Sequence, residues 1–182
     1  MRLLSLYLLA ILLLSSSVQA REEFWYMGVG GGVTFLDDKD DAFTSIEEKS
    51  TVAKAYLGYR ASTYLAFEME YAHLGTYEYQ RSIISEEAEL STLGISIVVM
   101  YPLVVEELEL YTPLSWAVMD ADYVVQNEFI GTYKLGFGIA YTPTESFTIR
   151  LGTDVTVFEL ESSGETYKQN LVSAYTSLQY NF

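Results

Sequence analysis

Few residues in this chain are equipped for chemistry. There is one histidine, His73, and no cysteine, which excludes thiol nucleophiles, disulfides and cysteine-ligated zinc. A hydrolytic site wants a nucleophile oriented by a base, but His73 follows Leu65, Phe67, Met69 and Tyr71 at every second position and so falls on an apolar face. The run Asp37-Asp38-Lys39-Asp40-Asp41 offers oxygen ligands for calcium. It lacks the spaced ligands, the glycine and the closing glutamate of an EF-hand loop, and reads as a solvated acidic stretch with no metal assigned to it. What remains is a set of charges embedded in apolar runs: Lys54, Arg60, Lys134 and Arg150 against Glu68, Glu70, Glu109 and Asp154. Equal numbers of each sign suit mutual neutralisation where water is scarce, because an unpaired charge there is costly.

The elements that carry these residues alternate with period two, the mark of strands with two unlike faces. Trp25, Met27, Val29, Val33 and Phe35 oppose Tyr26, Gly28, Gly30, Gly32 and Thr34. Ala53 to Tyr59 sets an apolar row against Lys54, Tyr56, Gly58 and Arg60, and Leu65 to Tyr71 sets one against Ala66, Glu68, Glu70 and Ala72. Further strands run through Leu93 to Tyr101, through Leu108 to Trp116 with Pro113 as an irregularity, through Tyr133 to Tyr141, through Phe147 to Val157 and through Val172 to Phe182. The count is eight. No long helical period competes with them.

With 182 residues, 50% hydrophobic and 15% aromatic, the chain is not disordered. Its 10 basic against 25 acidic residues and a pI near 4.2 argue against nucleic acid as a partner. Met1 to Ala20 reads as a cleaved secretory signal: a basic start at Arg2, an apolar stretch from Leu3 to Leu14, and the small-x-small site Val18-Gln19-Ala20. The stretch is short for a membrane-spanning helix. The expected organisation is therefore a signal peptide over 1–20 and a single domain over 21–182. Cleavage removes one basic residue, so the mature chain is more acidic still, yet its mean hydropathy over the whole sequence is +0.15.

Eight amphipathic strands make either a soluble barrel with the apolar face inward or a membrane barrel with it outward. The less apolar face decides between them, because its charged members sum to zero in a strongly acidic chain, as expected of groups enclosed together and not of a solvated face. Glycines at 28, 30, 32, 58, 94, 136, 138 and 152 share that face and leave room for long side chains. Connections alternate between short ones, at Ala61-Ser62-Thr63, Pro102 to Glu107 and Thr142 to Ser146, and longer ones, at Asp37 to Thr51, Thr76 to Glu87, Met119 to Asn127 and Glu159 to Lys168. That asymmetry belongs to outer-membrane barrels, whose short turns face the periplasm. Trp25, Tyr59, Tyr101 and Tyr141 fall near the short-turn ends and Tyr71 and Trp116 near the others, as two aromatic girdles at two bilayer interfaces would.

The segments Trp25-Tyr26-Met27-Gly28-Val29-Gly30, Leu57-Gly58-Tyr59-Arg60, Leu65-Ala66-Phe67-Glu68-Met69-Glu70-Tyr71 and Leu135-Gly136-Phe137-Gly138-Ile139-Ala140-Tyr141-Thr142-Pro143 resemble the OmpA-like eight-stranded outer-membrane β-barrel family. The resemblance implies an all-β, antiparallel up-and-down transmembrane barrel in the outer membrane of a Gram-negative bacterium. It implies that the eight charges named above form an interior salt-bridge cluster. It also implies that Leu178, Tyr180 and Phe182, in the closing Leu178-Gln179-Tyr180-Asn181-Phe182, serve as the signal read by the barrel-assembly machinery. The chain stops at strand eight, so the peptidoglycan-binding role of full-length OmpA is not expected. Outer-membrane lipid A deacylases, which place His and Ser on the lipid-facing rim, are the comparable enzyme class. The position two beyond His73 is Gly75.

An eight-stranded barrel is just wide enough for side chains to fill. The expected function is accordingly a non-enzymatic structural or surface-interaction role, adhesin-like, through acidic extracellular loops around a filled, salt-bridged interior, without cofactor. A narrow ion-conducting, porin-like channel is the alternative and an outer-membrane lipid-modifying enzyme the second. Expected partners are outer-membrane lipid and lipopolysaccharide, the assembly machinery during biogenesis and an extracellular partner at the loops, with the chain monomeric.

Overall fold

A computed structural model of the chain describes residues 23–38, 45–46, 49–81, 84–105, 107–123, 127–162 and 165–182. The signal-peptide expectation and the residues Lys39, Asp40, Asp41, Glu47 and Glu48 lie outside them. The described residues form nine strands: β1 (Phe24–Asp38), β2 (Ser45–Ile46), β3 (Lys49–Arg60), β4 (Leu65–Arg81), β5 (Ile84–Pro102), β6 (Leu108–Tyr123), β7 (Asn127–Thr144), β8 (Phe147–Ser162) and β9 (Glu165–Asn181). Every neighbour in the sheet is antiparallel, β1 pairs with β9, and the β4–β5 pairing closes the sheet on itself. The two residues of β2 extend the ladder beside the top of β4, opposite Tyr79 and Gln80. Eight strands thus make a closed up-and-down barrel.

Register fixes the barrel's dimensions. Trp25 pairs with Tyr59, Tyr59 with Phe67, Phe67 with Ile97, Ile97 with Leu114, Leu114 with Leu135, Leu135 with Val155, Val155 with Val172, and Val172 with Phe35. One circuit that leaves β1 at Trp25 returns to it ten residues further along, at Phe35. With a rise of about 3.3 Å per residue and about 4.8 Å between strands, that stagger tilts the strands by about 41° and sets a backbone radius of about 8 Å. Each residue then climbs about 2.5 Å along the barrel axis.

Burial alternates as the sequence pattern requires. Outward-facing Met27, Val29, Leu57, Met69, Ile95, Leu135, Leu151 and Leu178 are exposed, while the residues between them are buried or half-buried. Solvent exposure of so many large apolar side chains has a physical sense only in lipid.

Two features depart from the sequence reading, and a third, at Pro113, is the irregularity it expected. The stretches Thr76 to Glu87, Met119 to Asn127 and Glu159 to Lys168, expected as loops, are largely ladder, because β4 runs to Arg81, β5 starts at Ile84, β6 runs to Tyr123, β8 to Ser162 and β9 starts at Glu165. The register of β4 slips between His73 and Gly75, a β-bulge with Gly75 at φ 96°. A side chain at that φ is disfavoured, and a Cβ there would come within 2.1 Å of Ser50 Oγ. On β6 the pairing to β7 jumps from Tyr111 to Leu114, since Pro113 has no N–H to give the ladder.

Candidate functional site

All eight sequence-predicted charges point into the barrel, and the structure brings them together in pairs. The lowest pair is Arg60 with Glu109, a two-pronged contact at 2.9 Å on each arm. Arg60 also donates to the carbonyls of Ser62 at 3.1 Å and Thr63 at 2.6 Å, which ties the turn after β3 to the floor of the interior. Higher up, Arg150 Nη1 donates to Glu68 Oε1 at 2.6 Å, and the Tyr26 hydroxyl donates to the same oxygen at 2.7 Å. The Arg150 guanidinium lies 5.2, 5.0 and 5.1 Å from the ring centres of Tyr26, Tyr56 and Tyr111, within the range of cation–π attraction. Above this, Lys54 bonds Asp154 and Lys134 bonds Glu70, with Lys54 also 4.0 Å from Glu70 and 3.7 Å from the centre of the Tyr175 ring.

The tyrosines fit because glycines face them. A Cβ on Gly28 would sit 2.3 Å from the Tyr56 ring, one on Gly58 2.3 Å from the Tyr26 ring, and one on Gly152 2.3 Å from the Tyr111 hydroxyl. Sequence position therefore encodes a jigsaw in which small residues on one strand admit rings from the next, and rings in turn cover the guanidinium.

Above the ion pairs the interior changes character. Val52, Ala72, Leu74, Tyr77, Leu90, Met119, Ala121, Phe158, Leu171 and Tyr175 form one buried apolar cluster. The sequence reading missed it, because Leu90, Met119, Phe158 and Leu171 lie at or beyond the strand limits drawn from the alternation. Its polar members satisfy one another. Thr34 Oγ1 and the Tyr77 hydroxyl stand 3.0 and 3.1 Å from the Leu74 carbonyl and within bonding reach of each other, so that one donates to the carbonyl and the other to its neighbour's oxygen.

On the outer surface, Trp25, Tyr59, Tyr101 and Tyr141 gather near one level, joined by Tyr180 and Phe182 of the closing segment. Trp25 packs at a tilt against Tyr59 with centroids 5.1 Å apart, and Tyr180 contacts Phe147 at 5.3 Å and stacks on Phe182 at 6.1 Å. Leu178, Tyr180 and Phe182 are exposed on this face. Tyr71 and Trp116 project outward about 16 to 18 Å above Trp25 by the rise per residue, and Phe35 about 25 Å above it, so the upper aromatics form a ragged ring and the lower ones a level one. Outward-facing Lys49, Glu89, Glu159 and Lys168 lie above Phe35 on the same scale.

His73 is outward and half-exposed, with Nδ1 3.3 Å from Glu89 Oε1. Ser91 is its partner across the ladder, a serine that looking along the strand could not reveal, but no hydrogen bond joins the two among the described residues. Nor do the described residues contain three or more His, Cys, Asp or Glu placed to hold a metal ion.

A family model for the OmpA-like transmembrane domain matches residues 20–168. Outer membrane protein A of Serratia marcescens is 27% identical over 134 residues, which cover 68% of this chain and 34% of that protein. Outer membrane protein A of Escherichia fergusonii is 27% identical over 125 residues, 68% of this chain and 35% of that one. The chain thus spans about a third of the length of these relatives. Among solved structures, Neisserial surface protein A superposes with a TM-score of 0.63 at 14% identity, covering 89% of this chain and 100% of that one. Ail, the attachment invasion locus protein of Yersinia pestis, solved in complex with the heparin analogue sucrose octasulfate, gives 0.59 at 11% identity, with 89% and 100% covered. Likenesses at such identity show the shared fold.

Proposed function

Because the chain belongs to the OmpA-like transmembrane domain family and is an eight-stranded barrel of the Gram-negative outer membrane, we propose that it is a closed, non-enzymatic barrel with a structural or surface-interaction role. The observation that carries this reading is the interior: the buried charges are paired, rings pack around them and an apolar cluster lies above them, and a backbone radius of about 8 Å leaves little room. The projecting strands supply the second half of the argument. An apolar band needs about 25 Å, which about ten residues cross at the tilt of this barrel, whereas β4 and β5 have 17 and 19. The surplus forms hairpins above the bilayer, edged by Glu86, Glu87, Glu159, Glu161 and Glu165. An adhesin-like contact through these acidic tips follows, with outer-membrane lipid around the band. Trp25, Tyr59, Tyr101 and Tyr141 seat the periplasmic interface and Tyr71 and Trp116 the outer one. Leu178, Tyr180 and Phe182 are the segment the assembly machinery reads.

The experiment is a comparison of cells producing the whole chain with cells producing one whose β4–β5 hairpin is shortened above the band. Lost adherence with unchanged detergent resistance identifies a surface contact, and lost detergent resistance identifies a structural role. If both properties stay unchanged while the shortened protein is present in the outer membrane, the reading is wrong.

A further inference from the structure

The barrel interior is not uniform along its axis, and its two sections oppose ions differently. By the rise of about 2.5 Å per residue, the ion pairs occupy the lower part, from the level of Trp25 to about 18 Å above it, and the apolar cluster spans roughly the next 10 Å. In the lower section polar atoms remain without a protein partner, among them Arg150 Nε and Asp154 Oδ1. Such atoms are what water solvates. In the upper section Leu74, Leu90, Met119 and Leu171 are at most 4% exposed and Phe158 3%, and the hydroxyls of Thr34 and Tyr77 are already satisfied by each other and by the Leu74 carbonyl.

We propose that this outer apolar plug, and not the ion pairs beneath it, is the barrier that seals the barrel to ions. The inference rests on the reading of a closed barrel and assigns the closure to particular residues. An ion pair can exchange partners: Lys54 bonds Asp154 and stands 4.0 Å from Glu70, which Lys134 also bonds. Rearrangement there moves charge among groups that already tolerate it. Thr34, Thr92, Thr132, Thr156 and Gln169 are buried at the same level, but the cluster between them is aliphatic and aromatic carbon, which offers a crossing ion few ligands to replace its hydration shell and holds little water. Disrupting the ionic section alone therefore leaves the path shut, whereas removing apolar bulk from the plug opens it, the ion pairs beneath exchanging partners as an ion passes.

The test is planar-bilayer recording in potassium chloride of four proteins: the native chain, Glu68→Gln/Arg150→Gln, Met119→Ser/Leu171→Ser, and the four substitutions together. Heat-dependent gel mobility confirms that each is folded. The expected result is silence from the native chain and from Glu68→Gln/Arg150→Gln, and unitary steps, at least tenfold above baseline events, from Met119→Ser/Leu171→Ser and from the fourfold variant; silence from a folded Met119→Ser/Leu171→Ser overturns the proposal. Unitary steps from Glu68→Gln/Arg150→Gln overturn the proposal, since the ion pairs would then be the seal. Silence from a folded fourfold variant overturns it as well. If Leu171→Ser prevents folding, Met119→Ser on the Glu68→Gln/Arg150→Gln background is read by the same two criteria. Conductance by the native chain would instead overturn the closed-barrel reading itself, so the two failures are distinct.

Discussion

Arg150 is the best place to test whether the interior charges work as pairs. Its guanidinium is buried, donates to Glu68 at 2.6 Å and lies about equally far from three tyrosine rings. Replacing it with methionine keeps most of the volume and the ring contacts but strands Glu68, whose remaining partner is the Tyr26 hydroxyl at 2.7 Å. Breaking a buried pair from one side typically costs about 3–5 kcal/mol. The surviving Tyr26 bond places Arg150→Met at the lower end, about 3 kcal/mol. Glu68→Gln keeps an acceptor near Arg150 but leaves its charge uncompensated, and is expected to cost a similar ~3 kcal/mol. The double variant holds no stranded charge, so its cost falls to about 1–2 kcal/mol, and the coupling between the sites is about 4 kcal/mol or more. Urea unfolding in lipid vesicles, followed by the fluorescence of Trp25 and Trp116, measures all three. If each single change costs under about 1 kcal/mol and the double equals their sum, the charges do not act as a buried pair and the reasoning fails.

Other positions make independent predictions. Gly75→Ala forces a side chain onto a φ of 96° and toward Ser50 Oγ, Ser50 Cβ and the Thr51 carbonyl; a loss of about 1–3 kcal/mol is expected, and Ser50→Ala should relieve only part of the clash and not restore native stability, as read by the same urea titration. Met69→Arg, about 11 Å up the lipid face from Trp25 and near the middle of the band, should cost about 2–4 kcal/mol, whereas arginine at Lys49, near the upper edge, should cost under about 1 kcal/mol. Phe182→Ala should lower the amount of folded protein reaching the outer membrane of cells while leaving its unfolding midpoint in vesicles nearly unchanged; an equal loss in both assays would assign Phe182 to stability instead of assembly.

Strand phase was legible within the lipid-spanning band because the two faces there differ in kind. Leu57 and Tyr59 beside Lys54 and Arg60, or Ile149 and Leu151 beside Arg150, cannot be mistaken for one another. The pairing of charges was not legible, since Lys54 and Asp154 are 100 residues apart and only closure of the sheet brings β3 and β8 to face each other across the interior. Above the band the polarity inverts. Leu90, Met119 and Leu171 point inward while Ser91, Asp120 and Asn170 point outward, as in a barrel standing in water. A pattern sought with its apolar row outward loses register there, which is why ladder was taken for loop and the apolar cluster went unseen. The bulge at Gly75 compounds this by shifting the phase of β4, so that Leu74 and Tyr77 both face inward. His73 was placed correctly on the outer face, but its neighbours Glu89 and Ser91 come from β5 and follow from register alone.

The central claim is that the chain forms a closed outer-membrane barrel whose function lies at its surface. Planar-bilayer recording of the native, folded protein tests it most directly. A flat baseline is expected at voltages where an open channel would show discrete steps. A steady unitary conductance of constant size, absent from bilayers without the protein, would contradict it.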